Sequence, residues 1–247
     1  MKPLLLNLKW KVERWPTWWQ LPPLQAHRGY WQDGVLENSL ESLLQAKKRN
    51  FEMAEMDVRL SKDHQVVVFH DPDLRRWGQP QVLVRDLTAH ELKQKTGAPL
   101  LREVLKVTQR PEKLNIELKS DNGLESLLER KVADLTRGLP QPILFSSFNP
   151  YSLWFLSQAV PEHPRALLST FAKEEKNNFI LRHMLTAPLI KIHMLNLHHE
   201  YVDDGVLAHF TRSQIPVSLW TVNDSHKAIQ YLEAGARSII TDTVLPF

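Results

Sequence analysis

Glu55 and Asp57 stand two residues apart within an apolar run, and Asn115, Glu117 and Lys119 repeat that spacing further along the chain. On a β-strand, residues two apart share a face. Glu55 and Asp57 therefore face one side while Met56 and Val58 face the other, and Ile116 and Leu118 separate in the same way from Asn115, Glu117 and Lys119. Carboxylates aimed into an apolar interior are costly unless they are paired or bind a cation. Oxygen ligands from Glu55, Asp57 and Glu117 suit one hard divalent ion, Mg2+ or Ca2+, and make zinc less fitting because neither histidine nor cysteine is needed. Lys119 could then neutralise a phosphate oxygen. A purely structural set of Glu–Lys and Asp–Arg pairs satisfies the same spacing, so both readings stay open at this level.

Two further segments could move protons. His27-Arg28-Gly29 closes a short apolar run, and His70-Asp71 closes another. Arginine offers a planar fork for two phosphate oxygens, glycine allows close approach of the backbone, and histidine exchanges protons near neutral pH. His27 and His70 could act as base and acid on opposite sides of one phosphorus; taken singly, each reads first as a hydrogen-bonded rim residue, and it is the combined set that favours chemistry. His198-His199 is a weaker pair, because neighbouring residues on a strand point apart, and His64 fits a turn.

These groups need a scaffold that brings distant strands together. Short β-rich runs alternate with helical patterns, which implies a parallel sheet covered by helices. Strands are expected at 24–27, 53–58, 114–118, 143–146, 165–168, 189–194, 217–221 and 238–241. Helices are expected at 36–49, 101–108, 124–136, 151–159, 172–184, 205–213 and 225–234. Eight strands in alternation predict a closed (β/α)8 TIM barrel of the α/β class. The run 66–70 follows 53–58 too closely for a crossover helix. With 61–64 as a turn, it reads as the return arm of a hairpin that carries His70 back to the level of Asp57. No helix fits after the last strand, while 3–15 can form one that ends at Pro16, with Leu5, Leu8, Val12 and Trp15 on one face. The expected organisation is an N-terminal Trp-rich extension over 1–23 and a barrel domain over 24–247, with a short insertion at 71–112.

Composition narrows the class. The 247 residues are 43% hydrophobic and 24% charged, the profile of a globular domain. Cysteine is absent, which excludes disulfides and thiolate metal sites and is compatible with a reducing compartment. The net charge of +3 is carried entirely by Lys2, Lys9, Lys11 and Arg14 against Glu13, so the barrel body offers no basic face for nucleic acid. The early apolar run 3–6 is too short for a membrane span or a signal peptide, and a cytoplasmic location is expected. Trp10, Trp15, Trp18 and Trp19, with the local positive charge, could rest on an anionic membrane surface. Alternatively they pack on the barrel where a covering helix is lacking.

Taken in order, His27-Arg28-Gly29, Glu37-Asn38-Ser39, Glu55-Met56-Asp57, His70-Asp71, Asn115-Ile116-Glu117-Leu118-Lys119, Ser146-Ser147-Phe148, Trp220-Thr221-Val222-Asn223 and Ile239-Ile240-Thr241-Asp242 resemble the signature of the glycerophosphodiester phosphodiesterase family. The resemblance runs from about residue 24 to 242. It implies metal-dependent cleavage of a small-molecule glycerophosphodiester to glycerol 3-phosphate and an alcohol. By similarity Glu55, Asp57 and Glu117 hold the cation, His27 and His70 are general base and acid, and Arg28 and Lys119 bind phosphate. Glu37 is expected near the metal or a substrate hydroxyl, and Trp220 against the glycerol or in the barrel core. The glycerol 2-hydroxyl would attack phosphorus and water would open the resulting cyclic phosphate. Three departures stand out: the insertion after His70-Asp71 is short, Pro99-Leu100-Leu101 replaces a proline-threonine-leucine element, and the last helix is missing. The competing readings are a lysophospholipase D, whose lipid chain would meet Tyr30, Trp31 and Trp77 at the mouth, and a barrel that binds phosphodiesters without turnover.

Overall fold

The structure, a computed structural model, describes residues 10–120, 126–172 and 178–246. Strand β1 (Leu24–Ala26) leads through α1 (Leu40–Lys48) to β2 (Met53–Leu60), which turns back as β3 (Val66–Val68). An excursion follows with β4 (Asp73–Leu74), β5 (Gln79–Leu83), α2 (Ala89–Thr96) and α3 (Leu101–Lys106). Regular alternation then resumes: β6 (Lys113–Leu118), α4 (Leu127–Thr136), β7 (Ile143–Ser147), α5 (Pro150–Ala159), β8 (Arg165–Ser169), α6 (Phe179–Arg182), β9 (Met194–His198), α7 (Asp204–Arg212), β10 (Val217–Trp220), α8 (Ser225–Glu233) and β11 (Ser238–Thr241). The eight parallel strands run β1-β11-β10-β9-β8-β7-β6-β2, and pairing of Ala26 with Ala54 closes the barrel.

Period-two patterning decides which side chains face where. On β2, Ala54, Met56 and Val58 join Leu43 and Ala46 of α1 in the layer between strands and helices. Their neighbours Met53, Glu55 and Asp57 turn to the barrel axis. The hairpin forms as expected: Val68 pairs antiparallel with Val58, and the Phe69 amide donates to the Asp57 carbonyl at 2.9 Å. His70 thus returns to the level of Asp57. The short excursion packs its own small core from Val67, Phe69, Leu74, Val84, Leu92 and Ala98. Its helix α2 is absent from the sequence expectations, although Thr88 and Glu91 form a reciprocal capping box that marks its start.

Several boundaries differ from expectation. Helix α1 begins at Leu40 rather than 36, because Asn38 adopts a left-handed backbone (φ 54°) and Ser39 caps the helix. Strand β9 lies at Met194–His198, not 189–194: Leu189 is in a 3-10 turn and three-quarters exposed, and parallel register with β8 starts at Met194. Only Phe179–Arg182 of the expected helix 172–184 is helical among the described residues, with Asn178 as its cap. The expected helix 3–15 is not helical from Trp10 onward, and its first part falls outside the described residues. The chain there is tied down otherwise: the Glu13 amide donates to the Ile192 carbonyl at 2.8 Å. Trp19 is buried against Met53, Leu144, Ala166 and Met194 at the strands' N-terminal ends, and Trp15 packs on the same cluster. Trp18 is 52% exposed. No helix among the described residues is long and apolar enough to cross a membrane.

Candidate active site

Parallel register does most of the assembly. Asp57 stands opposite Glu117 across β2 and β6, and Ala26 stands opposite Thr241 across β1 and β11, which sets His27 beside Asp242. Glu55, Asp57 and Glu117 converge so that one oxygen from each lies within 4.8 Å of the others, and all three residues are buried. Arg28 reaches them through a left-handed backbone (φ 57°), uncommon for a non-glycine residue and a frequent mark of functional loops. Its amide donates to Glu55 Oε2 at 2.9 Å, and its Nε lies 3.4 Å from Asp57 Oδ2. Gly29 is required next, since a Cβ there would come within 2.7 Å of the Ser42 backbone of α1.

The electrostatics are unbalanced in favour of a cation. Lys119 pairs with Asp57 at 3.1 Å and with Glu117. Its ammonium is therefore held among the carboxylates. Even so, Glu55 Oε1 is buried with no hydrogen-bond partner. Burial, then repulsion from Asp57 and Glu117, pushes Glu55 well above the usual carboxylate range. Burial likewise raises Glu117, though Lys119 opposes the shift. Burial acts to raise Asp57 too, but Lys119 and Arg28 prevail and hold it well below its ordinary value. Burial opposes the charge of Lys119, yet Asp57 and Glu117 carry it above the ordinary lysine value. Three carboxylates thus face two cationic side chains, with Glu55 Oε1 left unclaimed. An all-oxygen donor set of this kind fits a hard divalent cation.

Each histidine is backed by an aspartate. Burial acts to raise Asp242, but hydrogen bonds from His27, Asn223 and Trp31 prevail and hold its carboxyl below the ordinary value. A carboxylate only accepts, so His27 Nδ1–H donates to Asp242 Oδ1 at 2.7 Å and Nε2 is the nitrogen left for proton exchange. His27 Nε2 lies 4.0 Å from Glu55 Oε2. His70 repeats the design, with Nδ1 2.7 Å from Asp71 Oδ1. Burial lowers the His70 pKa, partly opposed by Asp57.

Positions outside the sequence assignments complete the site. Asn38 donates to Asp57 Oδ2 at 2.8 Å and accepts from the Asp57 amide at 3.0 Å, fixing that carboxylate from both ends. Arg76 bridges Asp71 and Glu37. Asp242 carries a signal that sequence reasoning could have used: in a closed barrel the first and last strands are neighbours, so a carboxylate just past the last strand sits beside a histidine just past the first. Arg76 carries none, because its position depends on the fold of the excursion. Glu37 lies outside the acidic trio; it accepts from Arg28 at 3.0 Å and pairs with Arg76.

Trp220 stands at the mouth, half-buried, with Nε1–H donating to the Asn196 carbonyl at 3.1 Å and its ring edge-to-face with Phe148 at 5.6 Å. Trp31 is also at the mouth, donating to Asp242 at 3.2 Å, and Trp77 packs on Phe69. Tyr30, expected there, packs instead against Phe51 beneath the Arg49 guanidinium. His198 and His199 do not point apart: their rings stack at 5.6 Å and 7°, because the strand ends at His198 and the chain enters a 3-10 turn.

Comparison with known proteins agrees with this constellation. The sequence profile of the glycerophosphoryl diester phosphodiesterase family matches residues 27–245. A glycerophosphodiester phosphodiesterase of Bacillus altitudinis is 29% identical over 235 residues, covering 88% of this chain and 93% of its own. A lysophospholipase D of Rattus norvegicus is 26% identical, covering 88% and 82%. Among solved structures, an Oleispira antarctica phosphodiesterase in complex with the product sn-glycerol-3-phosphate superposes with a TM-score of 0.76 at 25% identity, covering 90% of this chain and 93% of that one. The glycerophosphodiester phosphodiesterase of Thermotoga maritima gives 0.70 at 28% identity, covering 89% and 93%. With the ordered motifs, the barrel and the matched profile in accord, the chain belongs to the glycerophosphoryl diester phosphodiesterase family of enzymes.

Proposed function

We propose that the protein hydrolyses glycerophosphodiesters to glycerol 3-phosphate and an alcohol by general acid–base catalysis assisted by one divalent cation. The observation that carries this reading is the pair of carboxylate-backed histidines, His27–Asp242 and His70–Asp71, at the mouth that holds the acidic trio. Glu55, Asp57 and Glu117 would hold Mg2+ or Ca2+, which when bound supplies Lewis-acid stabilisation of phosphoryl charge.

The protein's own groups do the rest. Arg28 and Lys119 offset the charge of the phosphodiester. His27 Nε2, its tautomer set by Asp242, accepts the proton of the glycerol 2-hydroxyl as that oxygen attacks phosphorus. His70 delivers a proton to the departing alcohol. Exchange of the same two roles lets water open the five-membered cyclic phosphate. Glu37 and Arg76 act at one remove by fixing Arg28 and Asp71.

Assay of several glycerophosphodiesters with Mg2+, with Ca2+ and in chelator tests the proposal. Activity is expected only with cation, with glycerol 3-phosphate as a product. Full activity in chelator defeats the cation assignment, and an unimpaired His27→Ala enzyme defeats the proton-transfer assignment.

A further inference from the structure

The two sides of the mouth differ in kind. Around β1 and the excursion it is ionic, with Arg28, Glu37, Arg76 and Asp71 linked in one chain of pairs. Around β7, β9 and β10 it is aromatic. Phe148 and Trp220 meet at 5.6 Å and 88°, Trp220 and His198 at 4.7 Å and 79°, and His198 and Tyr201 at 5.3 Å and 55°. These four rings, from three separate strand ends, make one unbroken run. Its inner end touches the reacting centre, for the Phe148 ring lies 5.9 Å from Lys119 Nζ. Its outer end opens to solvent at Tyr201, 43% exposed. A single exposed aromatic needs no explanation, whereas a contiguous apolar patch leading out of a polar site marks a binding surface.

We propose that this run is the subsite for an apolar chain attached to the glycerol of the substrate, with His198 and Tyr201 as its specificity-determining residues. The inference rests on the hydrolase reading above. On that reading phosphate sits on the ionic side and Trp220 walls the glycerol, so a substituent on the terminal glycerol oxygen would continue past Trp220 to His198 and Tyr201. That oxygen can carry a chain while the 2-hydroxyl stays free to attack, which fits one acyl chain and excludes two. A cationic head group fits the run poorly. The rings form a line rather than a cage, and the charge at its inner end is the Lys119 ammonium.

The test compares glycerophosphocholine with 1-octanoyl-lysophosphatidylcholine, both below micelle formation, with the divalent cation present. Wild-type enzyme is expected to turn over both. In Tyr201→Ser and His198→Ser the ratio of kcat/KM for the acylated to the deacylated substrate is expected to fall about 5- to 10-fold, the scale of losing one or two buried methylene contacts. Tyr201→Phe is expected to keep the ratio. Because Tyr201 is substantially exposed, its variants report even if His198→Ser fails to fold. An unmoved ratio, a wild-type enzyme inert toward the acylated substrate, or a selective loss on glycerophosphocholine overturns the subsite. Absence of turnover of either substrate by wild type removes the hydrolase reading itself, and is thereby distinguished from failure of the subsite.

Discussion

The two ends of the barrel are built from the same strands on opposite principles. Strand β2 climbs from Met53 at the floor to Glu55 and Asp57 at the mouth, and β9 climbs from Met194 through Asn196 to His198. At the floor, Trp19, Met53, Leu144, Ala166 and Met194 close the barrel with apolar contacts. Between the ends lies a neutral polar layer in which Ser146 donates to Asn115, Asn115 to Gln25, and Gln25 to Ser238. At the mouth, buried carboxylates repel one another and Arg28 holds a strained backbone. The floor is organised to hold the fold and the mouth to gather charge, with three buried carboxylates beside Arg28 and Lys119. Such division along the axis lets the mouth tolerate electrostatic cost without loss of the barrel.

The division breaks if substitutions at one end act on the other's property. His27→Ala should have the largest effect, lowering kcat/KM by about 10²–10⁴-fold, the usual worth of a general base. Its thermal midpoint should stay close to wild type, and a large fall in both would tie the mouth to stability. Trp19→Ala should cost about 3–5 kcal/mol in urea or thermal unfolding, the range for removing a buried aromatic. Activity per folded molecule should be retained, so loss of kcat in fully folded protein would show that the floor shapes the site.

Addition of Mg2+ or Ca2+ should stabilise the native state by about 2.7 kcal/mol at a hundred times the dissociation constant. Scanning calorimetry would read this as a rise in midpoint that chelator reverses. The gain should be lost in Glu117→Gln and kept in Trp19→Phe. A cation that leaves the midpoint unmoved would count against the cation assignment.

A pH-dependent effect is expected at the floor. His193 is buried, and burial together with Arg165 lowers its pKa to about 3. Its neutral Nδ1 accepts the Arg165 amide at 3.2 Å. The unfolded chain takes up this proton near the ordinary histidine pKa of about 6.5, while the folded protein resists to about pH 3. The His193 contribution is therefore intact above about pH 6.5 and declines as pH falls toward 3. His193→Asn, which keeps an acceptor but cannot titrate, should show a shallower loss of stability over that window. An identical slope would place the acid sensitivity elsewhere, with His163, also lowered by burial, as the next group to replace.

The contrast between mouth and floor was unevenly legible in the chain. Alternation at Glu55-Met56-Asp57 and at Asn115 to Lys119 places carboxylates on one face, because the two-residue period of a strand is local geometry. The short link from β2 to β3 forces a hairpin, because no crossover fits so few residues, and with it the return of His70. Asp242 beside His27 follows only after the barrel closes. The neutralisation of Lys119 by Asp57 and Glu117, the grip of Arg76 on Glu37 and Asp71, and the seat of Trp19 depend on atoms far apart in the chain. The register of β9 was set by pairing with β8 rather than by its own hydropathy, and the run from Phe148 to Tyr201 joins three strand ends. Local pattern fixes which face a side chain takes. Which faces meet, and whether their charges balance, is decided by strand order and register, because the field at each group is the sum over neighbours that only the closed barrel supplies.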